Sequence, residues 1–320
     1  MQDTATTAIA RHEVWVAGEV LIDRIPDGRG GRVQVVGGGS ANTAKALARL
    51  GVRTCFIDGI STDDLGMAAR AELAASGVDL GRSRCSEKPT AIAEVTLDAA
   101  GNARYVFRLD GTATFDFAES WLPRGAPAVL HVGTLATIVA PGCHALERWA
   151  AGLDVPVVYD PNVRPSVLGD RGRYREIVER WIAISDVVKL SVDDLRWLHP
   201  ESHDVPGDVD VARAMLAQGP SLVVITRGEA GLVGISSDRV IEVPAVTTAV
   251  VDTVGAGDTV GAVLLEAIVA HGLAGLCGPR LEETLRRAAL AAALTCTRAG
   301  AQPPWADELR SATGSLPHPV

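Results

Sequence analysis

The 320-residue chain is short of lysine, methionine and aromatic side chains: it has three lysines (Lys45, Lys88, Lys189), three methionines, and 4% Phe, Tyr and Trp together. None of these lysines precedes Ser or Thr, which excludes the G-x-x-x-x-G-K-[ST] phosphate loop. Positive charge is also scarce, 30 basic against 39 acidic residues for a net −9, and this disfavours a nucleic-acid surface. The five cysteines (Cys55, Cys85, Cys143, Cys277, Cys296) are odd in number and scattered, with no C-x-x-C pair. Free or buried thiols are expected, not a disulfide framework or a structural zinc site. There is no H-E-x-x-H, and His199 and His203 straddle Pro200 in what reads as a surface loop. No apolar run reaches the ~18 residues that would suggest a membrane span. The start, Met1 to Glu13, lacks a basic patch followed by an apolar core, so a cytosolic location without a membrane partner is expected.

What is present is a globular composition, 47% hydrophobic and 22% charged. At this length a chain buries about three quarters of its unfolded surface. Residues 14–23 read as a buried strand, and residues 42–50 as a helix stopped by Gly51. A strand over 52–60 and a helix over 66–76 follow, the rhythm of a parallel sheet. Two strand-like runs, 90–97 and 103–109, flank a turn composition over 98–102 and predict a hairpin lying over the site as a flap. The α/β alternation resumes from Ala128, with apolar strands such as residues 155–160 and 222–226 that suit a sheet covered on both faces. A second short hairpin over 231–244 precedes a long Ala-rich helical stretch to about Arg298. The expected organisation is a leader over 1–13, one domain over 14–312 with a β lid inserted at about 20–36 and 88–114, and a tail over 313–320.

The densest chemical signal is residues 250–262, VVDTVGAGDTVGA, read as an apolar strand entering a Gly-rich turn and leaving as a helix. Free N–H groups and the positive end of a helix dipole suit phosphate. Asp258 lies where that helix begins. It fits an N-cap and equally a general base beside an anion hole formed by the N–H groups of Gly255, Ala256 and Gly257. A Rossmann fingerprint is missed by one residue, because Gly255, Gly257 and Gly261 give G-x-G-x-x-x-G with no acidic residue at the required distance. Near the other end, GGGSAN over 37–42 allows close backbone approach to a ligand, with Asn42 offering a donor and an acceptor. Its plainer reading is a flexible loop with an Asn N-cap. Asp23, at the end of the first strand, stands where open α/β sheets bind ligands.

Taken with FIDGISTDDLG, DPNVR, KLSVDDL and TRGEAG, these signatures resemble the ribokinase-like, or PfkB, family of carbohydrate and nucleoside kinases from Val14 to about Ala301. The resemblance implies a three-layer α/β/α sandwich with a mostly parallel central sheet and a small β-sheet lid, and ATP with Mg2+ as phosphate donor. Asp258 becomes the catalytic base. Asp23, Gly37, Gly38 and Asn42 become sugar contacts, with Arg108 of the lid and Arg164 of DPNVR near the sugar or the transferring phosphate. Nucleotide contacts fall to Lys189, Ser191, Asp194, Thr226, Gly228, Gly231 and Thr253. Asp252 and the carbonyl of Val254 resemble part of a monovalent-cation site, implying K+ as activator. Where many members read N-x-x-E, this chain has Ser191-Val-Asp-Asp194, whose shorter side chains point to magnesium contact through water.

The variants DPNVRP, VFRLDGTAT and KLSVDDL are most similar to the fructokinase branch, which implies phosphorylation of the 6-hydroxyl of fructose. 2-Keto-3-deoxygluconate, ribose and nucleosides are the alternatives, and the scarcity of aromatics disfavours a nucleoside site. From a different class, a non-catalytic sugar-binding regulator on the same fold would have little need of Asp258. The resemblance further implies a homodimer formed through the lid.

Overall fold

The structure, a computed structural model, describes residues 13–27, 30–97, 103–200 and 205–313. The expected leader, the turn over 98–102 and the tail fall wholly or mostly outside these residues. In chain order the elements begin with β1 (Glu13–Ala17), β2 (Leu21–Pro26), β3 (Arg32–Gly37), α1 (Gly39–Arg49), β4 (Arg53–Ile57), β5 (Gly59–Ser61) and α2 (Asp64–Ala75). Next come β6 (Arg84–Ser86), β7 (Ile92–Leu97), β8 (Ala103–Arg108), β9 (Val129–Gly133), α3 (Gly142–Ala151), β10 (Val157–Asp160), α4 (Arg171–Ala183), β11 (Val187–Ser191) and α5 (Val192–Leu198). The chain closes with α6 (Val205–Leu216), β12 (Leu222–Thr226), β13 (Leu232–Ser236), β14 (Val240–Val243), α7 (Ala256–Cys277), α8 (Leu281–Cys296) and α9 (Ala306–Thr313).

Eight strands form the central sheet in the order β14-β13-β12-β11-β10-β9-β1-β4. All are parallel from β12 through β4, and the β12–β13–β14 meander is antiparallel. Successive residues of β1 serve opposite layers: Val14 and Val16 join the core under α1, α2, α7 and α8, whereas Trp15 and Ala17 join the core under α3 to α6. This is the three-layer sandwich, with helices covering both faces. A separate four-stranded sheet, β3-β2-β7-β8, is the lid, its two hairpins joined by the parallel pairing of β2 with β7.

Chain order reverses between β9 and β1, because the chain leaves β1 for β4 on one side and returns to β9 on the other. Open α/β sheets bind ligands in the crevice at such a switch point, beyond the carboxyl ends of the strands.

Three expectations are corrected. Residues 14–23 form two strands in different sheets, because the chain is diverted at Gly18 to Val20. There the Val20 N–H is bound 2.9 Å from Asp58 Oδ2 instead of continuing the ladder. The apolar strand expected before the Gly-rich turn is not one: Val250 and Val251 are exposed, and the Val251 and Asp252 N–H groups turn back onto the Cys296 carbonyl. The Ala-rich stretch is two helices, and the first, α7, is long and apolar enough by composition to cross a membrane. Its middle is buried in the α1/α8 layer, however, and Gly272 at φ 70° interrupts it. The continuous part, Ala256 to His271, spans about 24 Å at 1.5 Å per residue, short of a ~30 Å hydrocarbon core.

Candidate active site

At the switch point, the Gly-rich turn before α1 meets the Gly-rich turn before α7. Helix α1 begins at Gly39, with Gly38 as its N-cap at φ 107°, so Asn42 sits in the first turn and not at the cap. From there Asn42 Nδ2 donates to Asp258 Oδ2 at 2.9 Å, across 216 positions of sequence. Helix α7 likewise starts one turn earlier than an Asp258 cap would require. Its N-cap is Gly255, left-handed at φ 79°, where a Cβ would lie 2.6 Å from that of Ala301. Asp258 therefore stands inside the first turn, 7% exposed, in the part of the helix whose amides have no intrahelical acceptor. Of the expected anion-hole amides, Ala256 N–H closes a turn onto the Thr253 carbonyl at 3.3 Å. A Cβ at Gly257 would lie 3.0 Å from Lys189 Nζ, so glycine there keeps the approach to that ammonium open.

Charge at the bottom of the site is arranged around Lys189, which is buried in the middle of β11 and pairs with Asp160 Oδ2 at 2.7 Å. Burial by itself would lower the Lys189 ammonium, but Asp160, Asp258 and Asp194 around it hold it above its ordinary value. Burial pushes Asp258 up to about 6, with Lys189 opposing and Asp160 reinforcing the shift. Asp160 was not singled out from the sequence. It ends an apolar strand in DPN, and its Oδ1 is buried without a hydrogen-bond partner among the described residues. Such an orphan costs free energy unless a ligand completes it.

Asp23 lies on the lid strand β2 against the Gly-rich turn; a Cβ at Gly37 would meet its Oδ2 at 2.2 Å. Burial raises its carboxyl to about 6, while the Arg164 guanidinium opposes the shift. Arg164 also acts on Asp258, so its charge lies within reach of both expected sugar-side carboxylates. Strand register corrects the expectation for Arg108. Asp23 pairs with Ala93, which pairs with Phe107, so Phe107 and Tyr105 share the face of Asp23. Arg108 pairs with Ile92 on the outer face, 3.8 Å from Glu94 Oε1, and lines a cavity of about 590 Å³ between the lid base and Ser166–Val167. Tyr105 occupies the place expected of Arg108: burial, with Asp23 nearby, raises its phenol, while Arg164 opposes. An isolated Tyr in a strand gives no signal beyond its alternation with Arg108.

On the nucleotide side, Ser191 and Asp194 form a capping box at the start of α5, and Asp194 Oδ1 also accepts from the Val163 N–H at 2.7 Å. Both carboxylate oxygens are thus engaged by the protein, and Asp194 ties DPNVR to β11. Thr226 ends β12. Gly228, at φ 57°, has open space beside it. By contrast, a Cβ at Gly231 would lie 2.1 Å from the Val243 carbonyl, which makes that glycine a requirement of the hairpin. Asp252 accepts from the Val254 N–H at 3.0 Å and the Gly300 N–H at 2.8 Å, and Thr253 beside it is exposed. All five cysteines are free. Among the described residues Glu13, Cys55 and Asp79 could group around a metal, but this cluster lies at the opposite end of β1, and the Arg82 guanidinium already pairs with Glu13.

Comparison with known proteins agrees with this geometry. A fructokinase of Rhizobium leguminosarum bv. trifolii is 37% identical over 262 residues, 78% of each chain. One from Klebsiella pneumoniae is 32% identical over 309 residues, 93% of this chain and 98% of its own. The crystal structure of the Xylella fastidiosa fructokinase with bound ATP superposes with a TM-score of 0.86 at 25% identity, covering 95% of this chain and 99% of that one. The profile of the pfkB family carbohydrate kinases matches residues 11–308, the body, the lid and both Gly-rich turns together, and the chain belongs to that family.

Proposed function

We propose that the protein is an ATP-dependent fructokinase that transfers the γ-phosphoryl group to the 6-hydroxyl of D-fructose. The observation that carries this reading is Asp258: a buried carboxylate raised to about 6, held by Asn42, within the first turn of a helix. Such a group is ionised at neutral pH yet basic enough to take a hydroxyl proton as the oxygen attacks phosphorus. Asp23, the Gly37–Gly38 backbone and Asn42 hold the sugar. Tyr105 and Phe107 close over it from the lid and exclude water. Arg164 and Lys189 meet the charge that develops on the transferring group.

The nucleotide runs along the ends of β11 and β12, by Ser191, Thr226, Gly228 and Thr253. The chemistry of the donors fits a divalent cation, with Asp160 offering its unpartnered Oδ1 and Asp194 reaching only through water; magnesium there would neutralise phosphate charge. The Asp252 carboxylate and the Val254 carbonyl fit a potassium ion, whose charge would strengthen the adjoining anion hole. The lid completes a homodimer: Ile25, Val33 and Tyr105 share its inner face and are 37%, 51% and 41% exposed, an apolar tip for a second lid to cover.

The test is ADP release with magnesium-ATP against fructose, ribose, 2-keto-3-deoxygluconate, tagatose and adenosine, with Asp258→Asn beside the wild type. Turnover of fructose above the others, lost about 10²–10⁴-fold in the variant, supports the reading. Another preferred sugar overturns the substrate, and binding of a sugar without turnover overturns the kinase in favour of a regulator.

A further inference from the structure

We propose that Glu19, outside every recognised motif of the chain, is a positioning residue that holds the sugar-binding turn and Asp258 in register across the switch point. The inference rests on the sugar-kinase reading above. Glu19 lies where the chain leaves β1 for the lid, 0% exposed. Its Oε1 accepts from the Gly39 N–H at 2.9 Å, and its Oε2 accepts from the Ala136 N–H at 3.2 Å, in the turn that follows β9. Its carbonyl accepts from the Ala41 N–H at 3.3 Å, and a Cβ at Gly38 would lie 2.5 Å from that same oxygen.

One residue thereby fastens the Gly-rich turn at two backbone amides, Gly39 and Ala41, and ties them to the turn that follows the strand on the other side of the crevice. Helix α1 has no side-chain cap of its own, because its N-cap is a glycine. Glu19 supplies the missing acceptor from a distance and places negative charge at the positive end of the helix. The first turn of α1 carries Asn42, and Asn42 holds Asp258. Glu19 thus sets where the base stands without touching the substrate.

The same carboxylate is also felt as charge. Burial raises Glu19 to about 7 against the pull of its backbone donors, and Asp258 adds to the shift. Asp58, packed on the other side of the crossover, and Tyr174 also feel Glu19. Asp258 itself faces Lys189, Asp160, Asn42 and Arg164, with Lys45 and Glu19 farther out.

Glu19→Gln tests this. An amide keeps one acceptor but turns an NH2 group toward the second backbone donor, so one of the two braces is lost and the charge is gone. The KM for fructose should rise about tenfold, the worth of one buried hydrogen bond, with the KM for ATP within about twofold of wild type. Amide hydrogen exchange should quicken over 37–42 and 134–137. A variant whose activity falls with an unchanged fructose KM and unchanged exchange in those segments overturns the proposal. If wild type turns over no sugar, the kinase reading has failed, and exchange alone still decides whether the brace exists. Should the variant not fold, the carbon-13 titration of Glu19 in wild type replaces it. Displacement of that titration by saturating fructose supports the role, and indifference to fructose overturns it.

Discussion

Asp258 is costly to the fold in its ionised form. Its carboxyl is raised from 3.8 to about 6, so the stability it contributes is fully present below pH 3.8 and is lost as the pH rises through 6. Asp258→Asn should therefore flatten the dependence of Tm on pH between about 4 and 6 while it abolishes turnover. Lys189 works in the opposite sense. Lys189→Met leaves Asp160 and Asp258 buried without their cation, at a cost of about 3–5 kcal/mol by thermal or urea unfolding. It should move the acid limb of kcat/KM to higher pH, because Lys189 is what holds Asp258 down. An unmoved limb would show that Lys189 is only structural. The residues that motif reading supplied, Asp258, Asn42 and Asp23, stand together. Asp160, Tyr105 and Glu19 were not legible because their significance lies in partners far along the chain, as with Glu19, whose acceptors serve residues 39 and 136. Arg108 stands on the other face of β8 from Tyr105, because side chains alternate along a strand.

Among the elements, the Gly-rich start of α7 is the least tolerant. Gly255 has both a left-handed φ of 79° and a Cβ position 2.6 Å from Ala301, so alanine is strained twice over. Gly255→Ala should cost more than about 1 kcal/mol in unfolding and displace the anion-hole amides. A kcat loss accompanied by an unchanged fructose KM is the expected signature. Most strands and helices were legible from period and composition, since both-sided burial makes β10 and β12 apolar up to their last residues, Asp160 and Thr226. The failures share one cause. Residues 14–23 and 250–251 are apolar enough for a strand, but pairing depends on an available edge. Asp58 removes that edge in the first case, and the Cys296 carbonyl takes the amides in the second.

At the scale of the whole molecule, the lid is built from two excursions of the chain that meet only where β2 pairs with β7. Light scattering should give twice the chain mass, and Val33→Glu with Ile25→Lys, placed in the exposed inner face of the tip, should return it to one. A monomeric wild type would show that the lid closes without a partner copy. The layered body and the inserted lid could be read in the order of elements, whereas the strand order that places the switch point between β9 and β1 could not, because nothing local records which parallel neighbour a strand will choose.

The hydrogen bond from Asn42 to Asp258 joins residues separated by 216 positions. A ribosome adding about 5–20 residues per second needs roughly 10–40 s to pass from one to the other. Through that interval the emerging chain carries Asn42 with no Asp258 for it to hold. The proposed base is thus set in place only once the last third of the chain is being made.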